Sequence, residues 1–158
     1  MPIRLFSFFI LILSLVCTTQ ILASDHQDIK IAYITQEQQV PAALSNLEPF
    51  VADKGLQGAL LGLKDNNTTG QFTEQSYLLE QVIVPIGGDV KAAFTELLTQ
   101  GVQLIVVNLP AAQLEQLDQI NNNQALLFDV ATRTDAFRHK QCLSHVLHLL
   151  PSRAMRAD

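Results

Sequence analysis

The segment GVQLIVVNLP, residues 101–110, decides the fold class of this chain. Its centre, from Val102 to Val107, is almost continuously apolar, as are strands that are buried on both faces of a parallel sheet. Gly101 is a typical residue just past the end of a helix, and Pro110 suits the first turn of the next one. The segment therefore predicts a central parallel strand with a helix before it and a helix after it.

Strands and helices alternate on both sides of this segment. Short β-prone runs predict four further strands, at Ile29–Ile34, Tyr77–Val84, Ala125–Val130 and Val146–Leu149. Apolar residues at helical spacing predict three helices, whose stripes are Leu56, Ala59, Leu60 and Leu63; Val90, Phe94, Leu97 and Leu98; and Leu114, Leu117 and Ile120.

Polar residues mark where these helices start and stop. Asp53 and Asp89 precede the first two helices and are residues that cap helix N-termini. The polar run Asn66–Gly70 is expected to end the first helix, and Asn121–Asn123 the third. The resulting β-α-β-α-β-α-β order with short connections predicts an α/β fold with a right-handed, doubly wound parallel sheet.

This fold class indicates where a ligand would bind. Ligands of doubly wound sheets gather beyond the carboxyl ends of the strands. The residues there form four segments: Thr35–Gln36, Pro85–Gly88, Asn108–Ala111 and Val130–Thr132. The long connection Glu37–Ala52, which contains Pro41 and Pro49, is either a loop beside the cleft or a solvent-exposed insertion without a role.

The charge of the chain argues against a nucleic-acid-binding protein, and its hydrophobic content argues against a disordered one. The chain has 158 residues, with 10 basic and 15 acidic side chains and a net charge of −5. Affinity for nucleic acid comes mainly from Lys and Arg, so we expect no nucleic-acid partner. Hydrophobic residues make up 48% of the chain, which is enough for one packed domain and too much for a disordered chain.

The N-terminus has the order of a secretory signal. Arg4 precedes the apolar run Leu5–Val16, and Ile21–Ser24 ends in small residues. We expect cleavage after Ala23 or Ser24, which divides the chain into a signal peptide, 1–24, and an exported part, 25–158. An uncleaved membrane anchor is the alternative. Cleavage removes Cys17 and leaves Cys142 as the single cysteine, either free or separated from its partner.

Signatures of catalysis are missing from the sequence. It has no phosphate-binding loop ending in Lys-Ser/Thr, no G-x-G-x-x-G after the first strand and no G-x-S-x-G turn. His139, Cys142, His145 and His148 recur every three residues, but successive steps of three drift around a helix, so the four side chains do not converge on one ion. We therefore expect no enzyme activity, no metal and no cofactor. Asp129 either contacts a ligand or caps the turn after its strand.

Several stretches together resemble a known family. They are Ala52–Ala59, Asp65–Gly70, Gly87–Val90, Gly101–Pro110, Leu147–Pro151 and Ser152–Met155. The chain from about Ile29 to Asp158 is similar to the periplasmic solute-binding proteins of ABC transporters, of the branched-chain amino-acid-binding type. Within that type it resembles the subgroup associated with catabolism through pyrroloquinoline quinone (PQQ)-dependent dehydrogenases.

The resemblance implies a type 1 binding-protein fold, in which two α/β lobes close on a small solute and deliver it to a membrane permease. In amino-acid-binding relatives, turns after the third and fourth strands hold the amino-acid backbone. Here the first of these turns, Asn108–Ala112, has no hydroxyl side chain, and the second retains only Ala131 and Thr132. Because a buried carboxylate or ammonium group needs hydrogen-bonding partners, we expect a less charged solute related to alcohol oxidation. The expected ligand-binding residues are Thr35, Gln36, Leu109, Pro110, Ala111, Ala131 and Thr132.

Members of this family are longer, because a second lobe follows the first. We therefore expect this chain to be an N-terminal fragment that binds solute weakly or not at all and is marginally stable. Two other functions stay open. One is an exported ligand-sensing or interaction module without a transport role, and the other is a small exported enzyme assisted by a metal at His139 and His145.

Overall fold

The computed structural model describes residues 26–39 and 51–157, which form an α/β fold with a five-stranded parallel sheet. The strands are β1 (Gln27–Gln36), β2 (Gln75–Val84), β3 (Leu104–Asn108), β4 (Leu126–Asp129) and β5 (Val146–His148). The helices are α1 (Lys54–Thr73), α2 (Val90–Thr99), α3 (Ala111–Ile120) and α4 (Ala136–His139), and a 3-10 turn covers Ala154–Arg156. The predicted fold class is confirmed, and the predicted strands are present with ends shifted by no more than two residues.

The sheet has the strand order β2-β1-β3-β4-β5, and every pair is parallel. The segment at residues 101–110 supplies β3, which pairs with β1 on one side and β4 on the other. From β1 the chain crosses to β2 and then returns past β1 to β3. The strand order therefore reverses between β1 and β3, and in such sheets the ligand crevice opens at this reversal.

Most of the hydrophobic core lies between one face of the sheet and helices α2 and α3. On the sheet side it consists of Ala32, Ile34, Val84, Ile105, Val107, Leu127 and Val146, and on the helix side of Phe94, Leu97, Leu114 and Leu117. Tyr33 lies on the opposite face, where α1 packs, and its hydroxyl reaches the start of that helix at Gly55. Helices therefore cover both faces, as a doubly wound sheet requires.

Helix α1 corrects one sequence prediction. The run Asn66–Gly70 does not end the helix, which continues to Thr73. The polar side chains are satisfied without leaving it: Asn66 donates to the Gly62 carbonyl, and Asn67 exchanges two hydrogen bonds with the backbone of Tyr77, at 2.7 and 2.9 Å. These bonds tie the end of α1 to β2 and outweigh the weak helix propensity of the run.

The two predicted N-caps behave differently. The carboxylate of Asp89 accepts hydrogen bonds from the backbone N–H groups of Lys91 and Ala92, so the predicted cap of α2 is confirmed. Asp53 precedes α1 but makes no capping bond; one of its carboxylate oxygens accepts instead from the side chain of Gln57 at 2.8 Å. None of the helices within residues 26–39 and 51–157 is long and apolar enough to cross a membrane.

The export signal and most of the long connection lie outside the described residues. Only the two ends of that connection, 37–39 and 51–52, are described. Glu37, Gln38, Val51 and Ala52 all line the cleft described below. The described ends of the connection thus lie beside the cleft, as one of the two alternatives for this segment expects.

Candidate binding clefts

A cleft of about 460 Å³ opens where β1 and β3 end. It lies at the reversal of strand order, and its volume falls within the range of about 300–1,000 Å³ that is usual for small-molecule sites. Its lining consists of Tyr33, Thr35, Gln36, Glu37, Gln38, Val51, Ala52, Asp53, Lys54, Gly55, Leu56, Ile83, Ile86 and Asn108. We call this the first cleft.

Three polar side chains form the floor of the first cleft. Asn108 Nδ2 donates to the Tyr33 hydroxyl oxygen at 2.7 Å and is 3.4 Å from Thr35 Oγ1. Thr35 Oγ1 in turn donates to the Asn108 carbonyl at 3.1 Å. Tyr33 is only 2% exposed, so this cluster is fixed against the sheet.

The same cluster leaves one donor and one acceptor free. A tyrosine hydroxyl can donate as well as accept, and the side-chain oxygen of an asparagine is an acceptor. Within the described residues, the Tyr33 O–H has no acceptor and Asn108 Oδ1 has no donor. Both residues line the cleft, so its floor presents a hydrogen-bond donor beside a hydrogen-bond acceptor.

The walls of the first cleft are apolar on one side and charged at the rim. Val51, Ile83 and Ile86 are each about half exposed and supply the apolar wall. Glu37, Asp53 and Lys54 lie at the rim and are exposed to solvent. The cleft thus combines a polar floor with an apolar wall, as small-molecule sites do.

A second cleft of about 360 Å³ adjoins the first and shares Gln38 and Asn108 with it. Its other lining residues are Leu109, Pro110, Ala111, Ala131, Thr132, Arg133, Thr134 and Arg153. Among the described residues that line it, the charged ones are Arg133 and Arg153, and none is Asp or Glu. The two clefts together follow the carboxyl ends of β1, β3 and β4.

A buried carboxylate shapes the turn beside the second cleft. Asp129 is completely buried and accepts hydrogen bonds from the backbone N–H groups of Ala131 and Thr132, at 3.0 and 2.8 Å, and from the Thr132 hydroxyl. The oxygen that accepts from the Thr132 hydroxyl also lies 2.7 Å from His148 Nδ1. Of the two roles considered for Asp129, the structure shows the capping one.

All seven expected ligand-binding residues line the two clefts, but their side chains differ in whether a polar group is free to contact a ligand. Thr35 lies on the floor of the first cleft. The side chain of Gln36 is occupied, because it donates to the carbonyls of Pro85 and Gly88 and accepts from Gln113. Leu109 and Thr132 are buried, and the latter is held by Asp129. Pro110, Ala111 and Ala131 border the second cleft without a polar side chain.

Tyr33, Asn108, Arg133 and Arg153 were not among the expected site residues. The position of Asn108 at the end of β3 places it within a segment that the strand-end rule already nominates. Tyr33 lies inside β1. To predict that it lines the cleft, one must know which face of the sheet α1 covers. Arg153 lies far along the chain from the other cleft residues, and no sequence pattern predicts its approach.

The histidines are distributed over separate contacts. His145 Nδ1 lies 3.1 Å from a carboxylate oxygen of Asp118 in α3, whereas His148 Nδ1 lies 2.7 Å from Asp129 at the end of β4. Cys142 is exposed and free. In the described residues there is no group of three or more His, Cys, Asp or Glu side chains that could hold a metal ion.

Substitution of Gly55 should disturb the floor of the first cleft. A Cβ atom at Gly55 would lie 2.4 Å from the Tyr33 hydroxyl and 3.0 Å from Asn108 Nδ2. Because Tyr33 is buried, Gly55→Ala must separate that pair or displace the start of α1. We expect the free energy of unfolding to fall by about 1–3 kcal/mol in urea denaturation.

Gly58→Ala is the matched control on the same helix. A Cβ atom there meets nothing within 4 Å. Alanine favours a helix interior by about 0.5–1 kcal/mol over glycine, so this variant should be more stable than the wild type. A stabilised Gly55→Ala would contradict the close packing described for the floor.

The loop carrying Arg153 is attached to the loop carrying Arg133. The Arg153 N–H donates to the Arg133 carbonyl at 3.2 Å, and the Ala154 N–H donates to the carboxylate of Asp135 at 3.1 Å. Hydrogen bonds from the Ser152 side chain and from the Ala154 backbone hold the pKa of Asp135 below its ordinary value, aided by the charges of Arg138 and His139.

This pKa predicts a pH dependence of stability. A lowered pKa in the folded state means that the stabilising contribution of Asp135 is complete above the unfolded-state pKa, which is about 3.9 for Asp, and is lost as pH falls through the folded-state pKa. NMR titration should give Asp135 a midpoint below the ordinary Asp value, and Ser152→Ala should raise that midpoint. A midpoint that Ser152→Ala leaves unchanged would refute the role of the Ser152 hydrogen bond.

Comparison of the chain with protein-family models, with curated proteins and with solved structures gives no match.

Proposed function

We propose that the protein is the periplasmic solute-binding component of an ABC importer. In this proposal it captures a small solute linked to PQQ-dependent alcohol oxidation and delivers it to the inner-membrane permease. The order of charged, apolar and small residues at the N-terminus supports export, and the stretches that resemble solute-binding proteins support the family.

The observation that carries the proposal is the pairing of a free donor with a free acceptor on the floor of the first cleft. An alcohol hydroxyl both donates and accepts, so it can accept from the Tyr33 O–H and donate to Asn108 Oδ1. The apolar wall formed by Val51, Ile83 and Ile86 suits the attached hydrocarbon. Among the described residues of the first cleft, the anionic partners for an α-ammonium group are Glu37 and Asp53, which lie at the rim.

Thermal unfolding in the presence of solutes tests this proposal. We would compare butan-1-ol, butyrate and leucine. A solute at ten times its Kd adds about 1.4 kcal/mol to stability, which raises the Tm of a domain of this size by several degrees. A single lobe is expected to bind only weakly, so the solutes are added at high concentration, well above a weak Kd. Under these conditions we expect butan-1-ol or butyrate to stabilise the chain and leucine to have no effect. Stabilisation by leucine alone would contradict the proposal.

An asparagine substitution assigns the effect to the first cleft. Asn108→Leu removes the acceptor while keeping a side chain of similar length, and it should abolish the stabilisation by butan-1-ol. Asn66→Leu is the matched control, because Asn66 is exposed on α1 away from the clefts. An equal response of the two variants would place binding elsewhere.

Export is tested by the N-terminus of the protein recovered from the producing cell. Sequencing should give a chain that begins at Ser24 or Asp25. A chain that retains Leu5–Val16 would contradict cleavage and favour the membrane-anchored alternative.

A further inference from the structure

The second cleft carries positive charge, and the hydroxyl group of the proposed alcohol-related solute does not account for that charge. Arg133 and Arg153 are its charged lining residues, in a chain whose net charge is −5. Arg133 is partly buried and Arg153 is exposed. Within the described residues, neither guanidinium group makes a hydrogen bond or an ion pair with the protein. Neither group therefore has a partner among the described residues that a ligand would have to displace.

The protein backbone holds these two cations on one cleft. The bond from the Arg153 N–H to the Arg133 carbonyl joins their loops, and Asp135 fixes the next residue, Ala154. Placing two positive charges at one cleft is unfavourable without a counter-charge. The other arginine near these loops, Arg138, is occupied, because it donates to the carbonyls of Thr134 and Leu150.

We infer that the second cleft binds the anionic group of the solute, so that the preferred ligand is a hydroxy acid. Its hydroxyl group binds at Tyr33 and Asn108, and its carboxylate binds at Arg133 and Arg153. Asn108 and Gln38 border both clefts, so a single small molecule can occupy the two. Guanidinium groups match carboxylates in geometry and charge. This inference rests on the proposed function and narrows its substrate class.

The test is a comparison of matched solutes by NMR titration of the full chain in Tris–HCl. Butane-1,4-diol carries only hydroxyl groups and butyrate only a carboxylate. Lactate, 3-hydroxybutyrate and 4-hydroxybutyrate carry both groups at increasing separation. We expect at least one hydroxy acid to bind about tenfold more tightly than both single-group solutes. Added NaCl should weaken that binding, because salt screens the charges of the partly exposed arginines.

Arginine variants then locate the anion. Charged hydrogen bonds are strong, so Arg133→Gln and Arg153→Gln should each weaken hydroxy-acid binding by about tenfold and leave binding of the diol unchanged. Arg133→Lys should retain part of the affinity. Arg156→Gln removes the same charge from an exposed residue outside the clefts and should have no effect. Circular dichroism would establish that each variant is folded.

The outcomes separate this inference from the proposed function. If the diol binds as tightly as the hydroxy acids and the arginine variants change nothing, the anion site is wrong while the alcohol-related function stands. If none of these solutes binds, the proposed function fails as well. Inorganic phosphate is a further probe: if phosphate binds through the arginines and no hydroxy acid does, the site takes anions and the assignment to hydroxy acids is overturned.

Discussion

Phe94→Ala is expected to lower the free energy of unfolding by about 3–5 kcal/mol, as is usual when a fully buried phenylalanine is truncated. Phe94 is 0% exposed and lies on α2, where it packs in the core cluster against the sheet. Small domains have a total stability of about 5–15 kcal/mol, so this one change removes a large share of it. Urea denaturation followed by circular dichroism measures the loss.

Phe72→Ala provides the matched control. Phe72 lies near the end of α1 and is 88% exposed, so the same truncation removes almost no buried surface. We expect a change within about 0.5 kcal/mol. Equal losses for the two variants would contradict the placement of the core between the sheet and helix α2.

Asp129→Ala is expected to cost a similar amount, about 3–5 kcal/mol, because it removes one partner of a buried, hydrogen-bonded pair. The carboxylate of Asp129 is 0% exposed and serves the turn at Ala131 and Thr132 as well as His148. Its removal leaves several buried donors without an acceptor. Since this turn borders the second cleft, the variant should also weaken anion binding there.

Substitution of Asp118, which forms a second Asp–His pair in the same protein, is the matched control for Asp129→Ala. Asp118 contacts His145 in a more exposed position, where the histidine side chain is 27% exposed. Solvent can replace part of this contact, so Asp118→Ala should cost only about 1 kcal/mol. If both substitutions cost the same, burial does not determine the contribution of Asp129.

The fold could be predicted from sequence because its strongest signals are local. The apolar run before Asn108 becomes β3, and the capping carboxylate of Asp89 starts α2 as predicted. The end of α1 is the exception. Asn66–Gly70 has the composition of a helix stop, but Asn67 is bound by the backbone of Tyr77, and this contact between α1 and β2 is absent from any local pattern.

The site could be predicted only as a region. Thr35 and the residues after β3 and β4 follow from the rule that parallel strands place ligands at their carboxyl ends. The groups that face the clefts depend on tertiary structure. Gln36 is occupied by Pro85 and Gly88, whereas Arg153 reaches the second cleft through a backbone bond to Arg133.

We propose that the solute binds at the carboxyl ends of β1, β3 and β4. The most direct test is to map backbone amide chemical shifts while 4-hydroxybutyrate is added to the protein. We predict that the shifts concentrate at Thr35, Asn108 and Arg133. The amides of Gln27 and Gln75, at the opposite ends of their strands, should not move. Saturable shifts at those two residues, with none at the carboxyl ends, would contradict this account.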